Sequence, residues 1–525
     1  VLMAAVGSVL LVLCVNLANL WFARTAARRQ ELAVRIALGA SRWRLIRQSL
    51  VESMTLAVAG GVIGCALAYA GVQLLLKLAP VTLPRLDEVH LDATALIFAL
   101  ALSLISGALF GAVPAWRMST SDPQQALRSA SRSNTADVHG VRTRKLLVAA
   151  EVALSTALLA SAGLLIRSFD RIMHVDRGLN VERVLAVDVP LSSAKYAANS
   201  ARGQFYERLI EKAQELPGVR RASIVSYLPF QGETWIDVVG LENDTRPAFQ
   251  RDTVNVRFIS PGYFDTVGIP IRSGRTFSKG DSNRKVAVIT QSIANRLFPG
   301  QDAVGRIFTH NDRKTEVVGV IQDTRSASLD KDPVRTLYIP YWQGYSFQGS
   351  LVLQTSSDPL QLANAVRSAV WSLDPEVPVP NVRTLEQLMN ASVGQRRFQT
   401  TLIAAFAAAA LALASLGVYG VLAYTVTRRR NEIGVRMALG ADAGNVRRLV
   451  VRQGMMPVLM GLAVGLLGAL AAGRVMTTML FQVTPNDPVS LIGAPAALGL
   501  VAIAACIAPA IRATRIDPVE ALRAE

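Results

Sequence analysis

Histidine and cysteine are scarce, at four and three residues in a chain of 525. Cys14, Cys65 and Cys506 all sit inside apolar runs and form no CxxC pair, so neither a disulfide framework nor a zinc site is expected. The scattered histidines leave little scope for a metal cluster. The sequence also contains no GxxxxGK[ST] phosphate loop, HExxH pair or GxSxG elbow, any of which would place a nucleotide, a zinc ion or a nucleophile. No spacing of carboxylates singles out a catalytic pair. The chain is therefore expected to be non-catalytic, without a cofactor of its own. Charged residues make up only 18% and aromatics only 6%.

What remains is an apolar excess of Ala, Leu and Val, which brings the hydrophobic share to 51%. Seven runs are long enough to cross roughly 30 Å of hydrocarbon. They lie near 1–22, 52–79, 94–114, 146–166, 398–424, 453–481 and 489–510. The net charge of +17 is not a nucleic-acid footprint, because its arginines adjoin these runs instead of clustering on a soluble face. Arg24, Arg28, Arg29, Arg35, Arg42, Arg44 and Arg47 fill one loop. Arg117, Arg128, Arg132, Arg142 and Arg144 fill another, and Arg428, Arg429, Arg430, Arg436, Arg447, Arg448 and Arg452 a third. The alternate loops carry Asp87, Glu88, Asp92 and Asp487 instead. The positive-inside rule then places every arginine-rich loop in the cytoplasm, with the chain start outside and the C-terminus inside. Residues 169–397 become one extracytoplasmic domain whose 28 basic and 24 acidic residues nearly balance. The first run lacks the basic flank of a signal peptide and is read as a transmembrane helix cut at its outer end.

The sequence repeats itself. Arg28 to Ala40 (RRQELAVRIALGA) matches Arg429 to Ala441 (RRNEIGVRMALGA) at a constant offset of 401. Gly60, Gly64 and Ala68 fall on Gly461, Gly465 and Ala469 at the same offset, and PAWRMSTSDPQQALR from Pro114 matches PAIRATRIDPVEALR from Pro509 after a six-residue shift. Three-span units in parallel orientation are thus duplicated, and the first copy lacks the opening span and outer domain of the second. The expected divisions are a three-span part of a first module at 1–128, a cytoplasmic linker and opening span at 129–168, the outer domain at 169–397 and a second three-span unit at 398–525.

In each copy Glu31 and Arg35, or Glu432 and Arg436, stand at i and i+4 in the acid-first order that supports a helix. Gly39 and Gly440 suit its C-terminus, and Ser41 and Asp442 suit the N-cap of the long helix that follows. Leu32, Val34, Ile36, Ala37 and Leu38 are spread too widely for a solvated helix, so this element is expected to bury apolar side chains against headgroups or a partner. A plain interfacial helix would need only that pattern. The two copies also keep the residues around the charges and the Leu38-Gly39-Ala40 and Leu439-Gly440-Ala441 turns, which favours a docking surface. The Gly60/Gly64 and Gly461/Gly465 ridges predict close helix packing. Ionisable residues are few within the runs: Glu52 and Glu151 near inner ends, Arg167 and Arg474 near outer ends, too few for an ion relay.

In the outer domain, strand-like runs at Val184 to Val189, Val286 to Thr290, Glu316 to Val320 and Leu351 to Gln354 alternate with helical runs at Ala201 to Leu216, Ser292 to Phe298 and Leu360 to Leu373. This pattern predicts an α+β or α/β domain.

The repeated ALGA and DP-ALR segments, with FISPGYFDTVGIPIRSGRTF and VAVITQSIANRLFPGQDAVGRIF in the outer domain, resemble the MacB/FtsX-like permease subunits of ABC transporters, especially duplicated bacterial permeases with a MacB-type periplasmic core domain. The resemblance covers nearly the whole chain. It implies a polytopic α-helical inner-membrane protein with four-span modules, outer domains on long helical stalks and cytoplasmic elements moved by ABC ATPase subunits that bind the ATP. Glu31, Arg35, Leu38, Gly39 and Ala40, with Glu432, Arg436, Leu439, Gly440 and Ala441, would face the ATPase. The second copy departs from the first after the turn, with Asp442 to Asn445 in place of Ser41 to Arg44, so the two surfaces are expected to be unequal. Besides the lipid bilayer, a periplasmic or outer-membrane partner is implied, and no nucleic acid. Two functions follow: export or extraction of a hydrophobic or amphipathic substrate, or regulatory mechanotransmission to an envelope partner with nothing transported. A secondary transporter is disfavoured by the parallel repeats and the lack of midplane charges.

Overall fold

The structure is a computed structural model. It describes residues 2–27, 41–78, 92–119, 138–242, 244, 246–311, 313–343, 348–428, 433, 437 and 442–514. The chain divides into two units, Val1–Arg171 with Arg396–Glu525, and Ile172–Gln395.

Among the described residues the first unit has seven long helices, one for each apolar run: α1 (Leu2–Ala27), α2 (Arg42–Leu78), α3 (Ala93–Ser119), α4 (Val138–Met173), α10 (Gly394–Arg428), α11 (Ala443–Val475) and α12 (Pro488–Thr514). Six contain an apolar stretch long enough to cross a bilayer, and α3 adds the shorter Ala93–Ala108. At 1.5 Å per residue, the 36 residues of α4 span about 54 Å, well beyond the hydrocarbon thickness. Large apolar side chains such as Leu56, Ile63, Leu67, Phe98, Leu467 and Leu500 point outward, as expected of lipid-facing helices.

Four helices share one core. Val148 and Val152 of α4 meet Ala414, Val418 and Leu422 of α10, Val446, Val450 and Val458 of α11, and Leu498, Ala502 and Cys506 of α12. In the first-copy helices, α2 and α3 cross closely, with Ser103 Oγ donating to the Ala57 carbonyl at 2.9 Å.

Helix α1 is the repeat counterpart of α10, and equivalent positions of the two come together beside α4. Ala5 and Val9 share a cluster with Phe406 and Ala410 around Leu158 of α4, and the offset of 401 makes these two mated pairs. Further along, Asn16 donates to the carbonyl of Leu413 at 2.9 Å, beside its own mate Gly417. Contact between equivalent positions is the mark of a two-fold arrangement. Ala5, Val9, Val12, Asn16 and Asn19 follow the alternating four-and-three spacing of a left-handed helix seam. The two permease copies therefore meet about a pseudo-two-fold axis running along this seam.

The second unit is an α+β domain. Its strands are β1 (Val184–Asp188), β2 (Val219–Val225), β3 (Ile236–Gly240), β4 (Asp252–Ile259), β5 (Ile271–Gly274), β6 (Val286–Thr290), β7 (Ile307–His310), β8 (Arg313–Ile321), β9 (Thr336–Pro340), β10 (Ser350–Thr355) and β11 (Val382–Thr384). Its helices are α5 (Asn199–Gln214), α6 (Tyr263–Val267), α7 (Gln291–Leu297), α8 (Ala363–Leu373) and α9 (Leu385–Ser392). The strands run in the order β11-β1-β10-β2-β4-β3-β7-β8-β6-β9, with β5 beside β8. Because β9 also pairs in parallel with β4, from Asn255↔Thr336 to Ile259↔Pro340, six strands close into a ring. Val256, Phe258, Ile289, Phe308, Val317 and Leu337 form the core of this ring, with Ile293 and Leu297 of α7. A second core joins the flat part of the sheet to α5 and α8 through Leu185, Val187, Leu209, Ile224, Leu353 and Val366.

Candidate functional site

The residues expected to face an ATPase, namely Glu31, Arg35, Leu38, Gly39, Ala40, Glu432, Arg436, Leu439, Gly440 and Ala441, lie outside the described residues. What is described around the second copy is informative. Ile433 is buried in the four-helix core, and Met437, one helical turn later, packs against the same cluster. These are the repeat mates of Leu32 and Ile36. The expectation that such residues bury against headgroups or a partner needs correcting for this copy. The i, i+4 pair turns toward the ends of α10 and α11, where apolar side chains of the chain's own bundle are available. Asp442 caps α11, its carboxylate accepting from the Gly444 N–H at 3.0 Å.

The glycine ridges differ between copies. A Cβ on Gly461 would lie 2.5 Å from the carbonyl oxygen of Ala149, and one on Gly465 would lie 2.6 Å from that of Ala153. Here α11 touches the α4 backbone, an approach that only the absence of a side chain permits. A Cβ on Gly60 or Gly64 would meet nothing within 4 Å. No described helix stands beside α2 where α4 stands beside α11.

Opposite the repeated segment, the loop between α11 and α12 is tied to the helices around it. Asp487 accepts from Arg167 of α4 at 2.6 Å and from Ser490 Oγ at 2.9 Å. Ser168 Oγ accepts from the Phe481 N–H at 2.8 Å, and Arg396 of α10 donates to the Met479 carbonyl at 2.8 Å. Displacing this loop therefore strains α4 and α10 together. The sequence had marked it only by its acidic charge.

In the outer domain the SPGYFDTVGIPIRSGRTF segment serves the fold. Tyr263 and Phe264 of α6 pack on Tyr338 of β9, with ring centroids 6.3 and 5.0 Å away. Arg257 of β4 is only 1% exposed, and its guanidinium donates to the Ser326 carbonyl at 3.4 Å. Gly262, Gly268 and Gly274 all have positive φ. Arg275 binds Asp281 through two hydrogen bonds of 2.6 and 2.7 Å, and Asp281 also accepts from the Ser278 N–H at 2.9 Å. The Arg275 guanidinium holds the Asp281 carboxyl well below the usual carboxylate range. The stability this gives is complete above the ordinary aspartate value of 3.8 and is lost as pH falls below it toward the depressed folded value. Asp281→Asn should lower domain stability by about 2 kcal/mol at neutral pH. Thermal melts of wild type and variant should converge as pH falls below 3.8, and a gap that does not narrow there would contradict the assignment. Among the described residues no group of three or more His, Cys, Asp or Glu is placed to hold a metal ion.

Comparison with known proteins matches these parts. The MacB-like periplasmic core domain matches residues 147–371, and the FtsX-like permease C-terminal domain matches twice, at 3–123 and 404–518. The macrolide export ATP-binding/permease protein MacB of Neisseria gonorrhoeae is 27% identical over 286 residues, covering 51% of this chain and 43% of that protein. The ABC transporter permease YknZ of Bacillus subtilis is 28% identical over 287 residues, 51% of this chain and 70% of that one. The pyoverdine export ATP-binding/permease protein PvdT of Pseudomonas syringae is 29% identical over 272 residues, 49% and 40% of the two chains. These matches span less than half the length of the two export proteins. Among solved structures, the periplasmic region of MacB from Actinobacillus actinomycetemcomitans covers 41% of this chain and 94% of its own, at 16% identity and a TM-score of 0.29. With a permease domain on either side of a periplasmic core domain, the chain belongs to the MacB/FtsX-like family of ABC transporter permeases.

Proposed function

We propose that the chain is the membrane subunit of an ABC-type exporter, in which ATP hydrolysis by a separate ATPase on the cytoplasmic side moves the outer domain and so expels or extracts a hydrophobic or amphipathic substrate. The C-terminus and the arginine-rich loops lie in the cytoplasm, and Ile172–Gln395 lies outside it. The subunit contributes no catalytic residue. The observation that carries this reading is the seating of Ile433 and Met437 in the four-helix core. A push on the repeated segment enters α4, α10, α11 and α12 together, and the hydrogen bonds of the α11–α12 loop hold the far ends in step. Such a bundle moves as a lever, and it needs no charge pathway through the membrane. The export proteins it resembles act on a macrolide and on pyoverdine, which supports a bulky amphipathic cargo.

The test replaces Glu31, Arg35, Glu432 and Arg436 with Ala and measures ATP-dependent efflux in cells carrying the cognate ATPase. Efflux should fall by about 5- to 150-fold, the span of ordinary coupling energies, while the subunits still co-purify. Unchanged efflux with an altered envelope phenotype would instead support the regulatory mechanotransmitter.

A further inference from the structure

Deep in the α1–α10 seam lies a polar group that apolar packing does not call for. Glu151 of α4 is fully buried, and Asn16 and Asn19 of α1 are 8% and 5% exposed. Asn16 donates from Nδ2 to Glu151 Oε1 at 2.5 Å and to the Leu413 carbonyl of α10 at 2.9 Å, so one side chain joins three helices. The second carboxyl oxygen of Glu151 lies where a Cβ on Gly417 would be 2.3 Å away, and Asn16 Oδ1 would be 2.5 Å from that Cβ. Gly417 is thus the vacancy into which the pair fits.

We propose that Glu151, Asn16 and Gly417 form a clasp that fixes the register in which the two permease copies pair within the membrane. The repeat supplies the argument. The mates of Asn16 and Asn19 are Gly417 and Gly420, and Asn16 faces its own mate, a glycine. The remaining seam positions Ala5 and Val9, which cluster with Phe406 and Ala410, are apolar and do not by themselves fix a register. Sliding α1 by a turn so that Val9 faces Leu413 would put Val12 near Glu151 and leave Glu151 and Asn16 without each other where no water can serve them, while the opposite slide would bring Asn19, whose amide is unpartnered here, to Glu151 and leave Asn16 without it. A single buried polar contact of this kind selects one register from several apolar alternatives. Glu151 is a positioning residue, acting through Asn16 on α1. The inference rests on the repeat geometry alone and is independent of the transport reading.

The experiment uses the full chain in native membranes, with Cys14, Cys65 and Cys506 replaced by Ala. Val9→Cys is combined with Ala410→Cys, its mate, or with Phe406→Cys or Leu413→Cys, one turn off in either direction, and disulfide yields are compared. The mated pair should dominate. Glu151→Leu should reduce that preference by about threefold to about twentyfold, the range for hydrogen bonds between membrane helices. Glu151→Gln should retain it, because its amide oxygen still accepts from Asn16. Gly417→Ala, which fills the vacancy and leaves Glu151 in place, should reduce the preference as Glu151→Leu does and provides the reading if Glu151→Leu fails to accumulate. Equal preferences in the Leu and Gln variants, or an unaltered preference in Gly417→Ala, would overturn the proposal.

Discussion

Leucine at Gly465 should prevent the second module from assembling, with leucine at Gly461 close behind. At both positions the added side chain meets a backbone carbonyl of α4, and a carbonyl within a helix cannot rotate away as a side chain can. Overpacking typically costs about 1–3 kcal/mol, and a rigid backbone neighbour places these substitutions at or above the top of that range. The helices must then separate, opening the shared core of α4, α10, α11 and α12. The expected result is sharply reduced accumulation in membranes and loss of a monodisperse species on size exclusion in detergent. Wild-type accumulation of Gly465→Leu would refute the close packing of α11 on α4.

The second large effect belongs to the outer domain. Gly274 has a φ of 76°, and a Cβ there would lie 2.3 Å from the Val318 carbonyl and 2.8 Å from the Gly319 Cα of β8. Gly274→Val therefore combines left-handed backbone strain with collision against a strand of the closed ring. A loss of more than about 4 kcal/mol is expected, enough to leave the domain unfolded. Gly232 separates the two causes: its φ is 86°, but a Cβ would meet nothing within 4 Å. Gly232→Ala should cost only the strain, about 1–2 kcal/mol. Limited proteolysis and thermal denaturation of both variants would check this ordering, and a mild Gly274→Val would contradict the close strand contact.

The seven spans were legible because an apolar run of some twenty residues has few other uses, and the duplication because self-similarity needs no structural knowledge. Packing between the copies was not. The small-residue spacing at Gly461 was visible, but that α4 is the helix pressed against it was not. Glu151, read as belonging to an inner helix end, is enclosed because α1 and α10 converge on it, a contact set by residues 135 and more positions away in the chain. In the outer domain the local runs announced β1, β6, β8 and β10, but closure of the ring depends on β4 meeting β9 across some eighty residues, which no local pattern encodes. For Ile433 and Met437 the apolar spacing was visible, while the choice between headgroup, partner and own core was not.

Closure of that ring also limits how other molecules can be held. A strand within a closed circuit has both sides occupied, which leaves no backbone ladder to extend. Among the described residues the three-residue β11 and the four-residue β5 pair on one side alone, and β2 meets β4 only at Val225↔Ile259, so the rest of that strand pairs with β10 alone. Docking by strand addition is therefore confined to these edges, and at the ring an envelope protein or cargo would have to be recognised by side chains and loop shape.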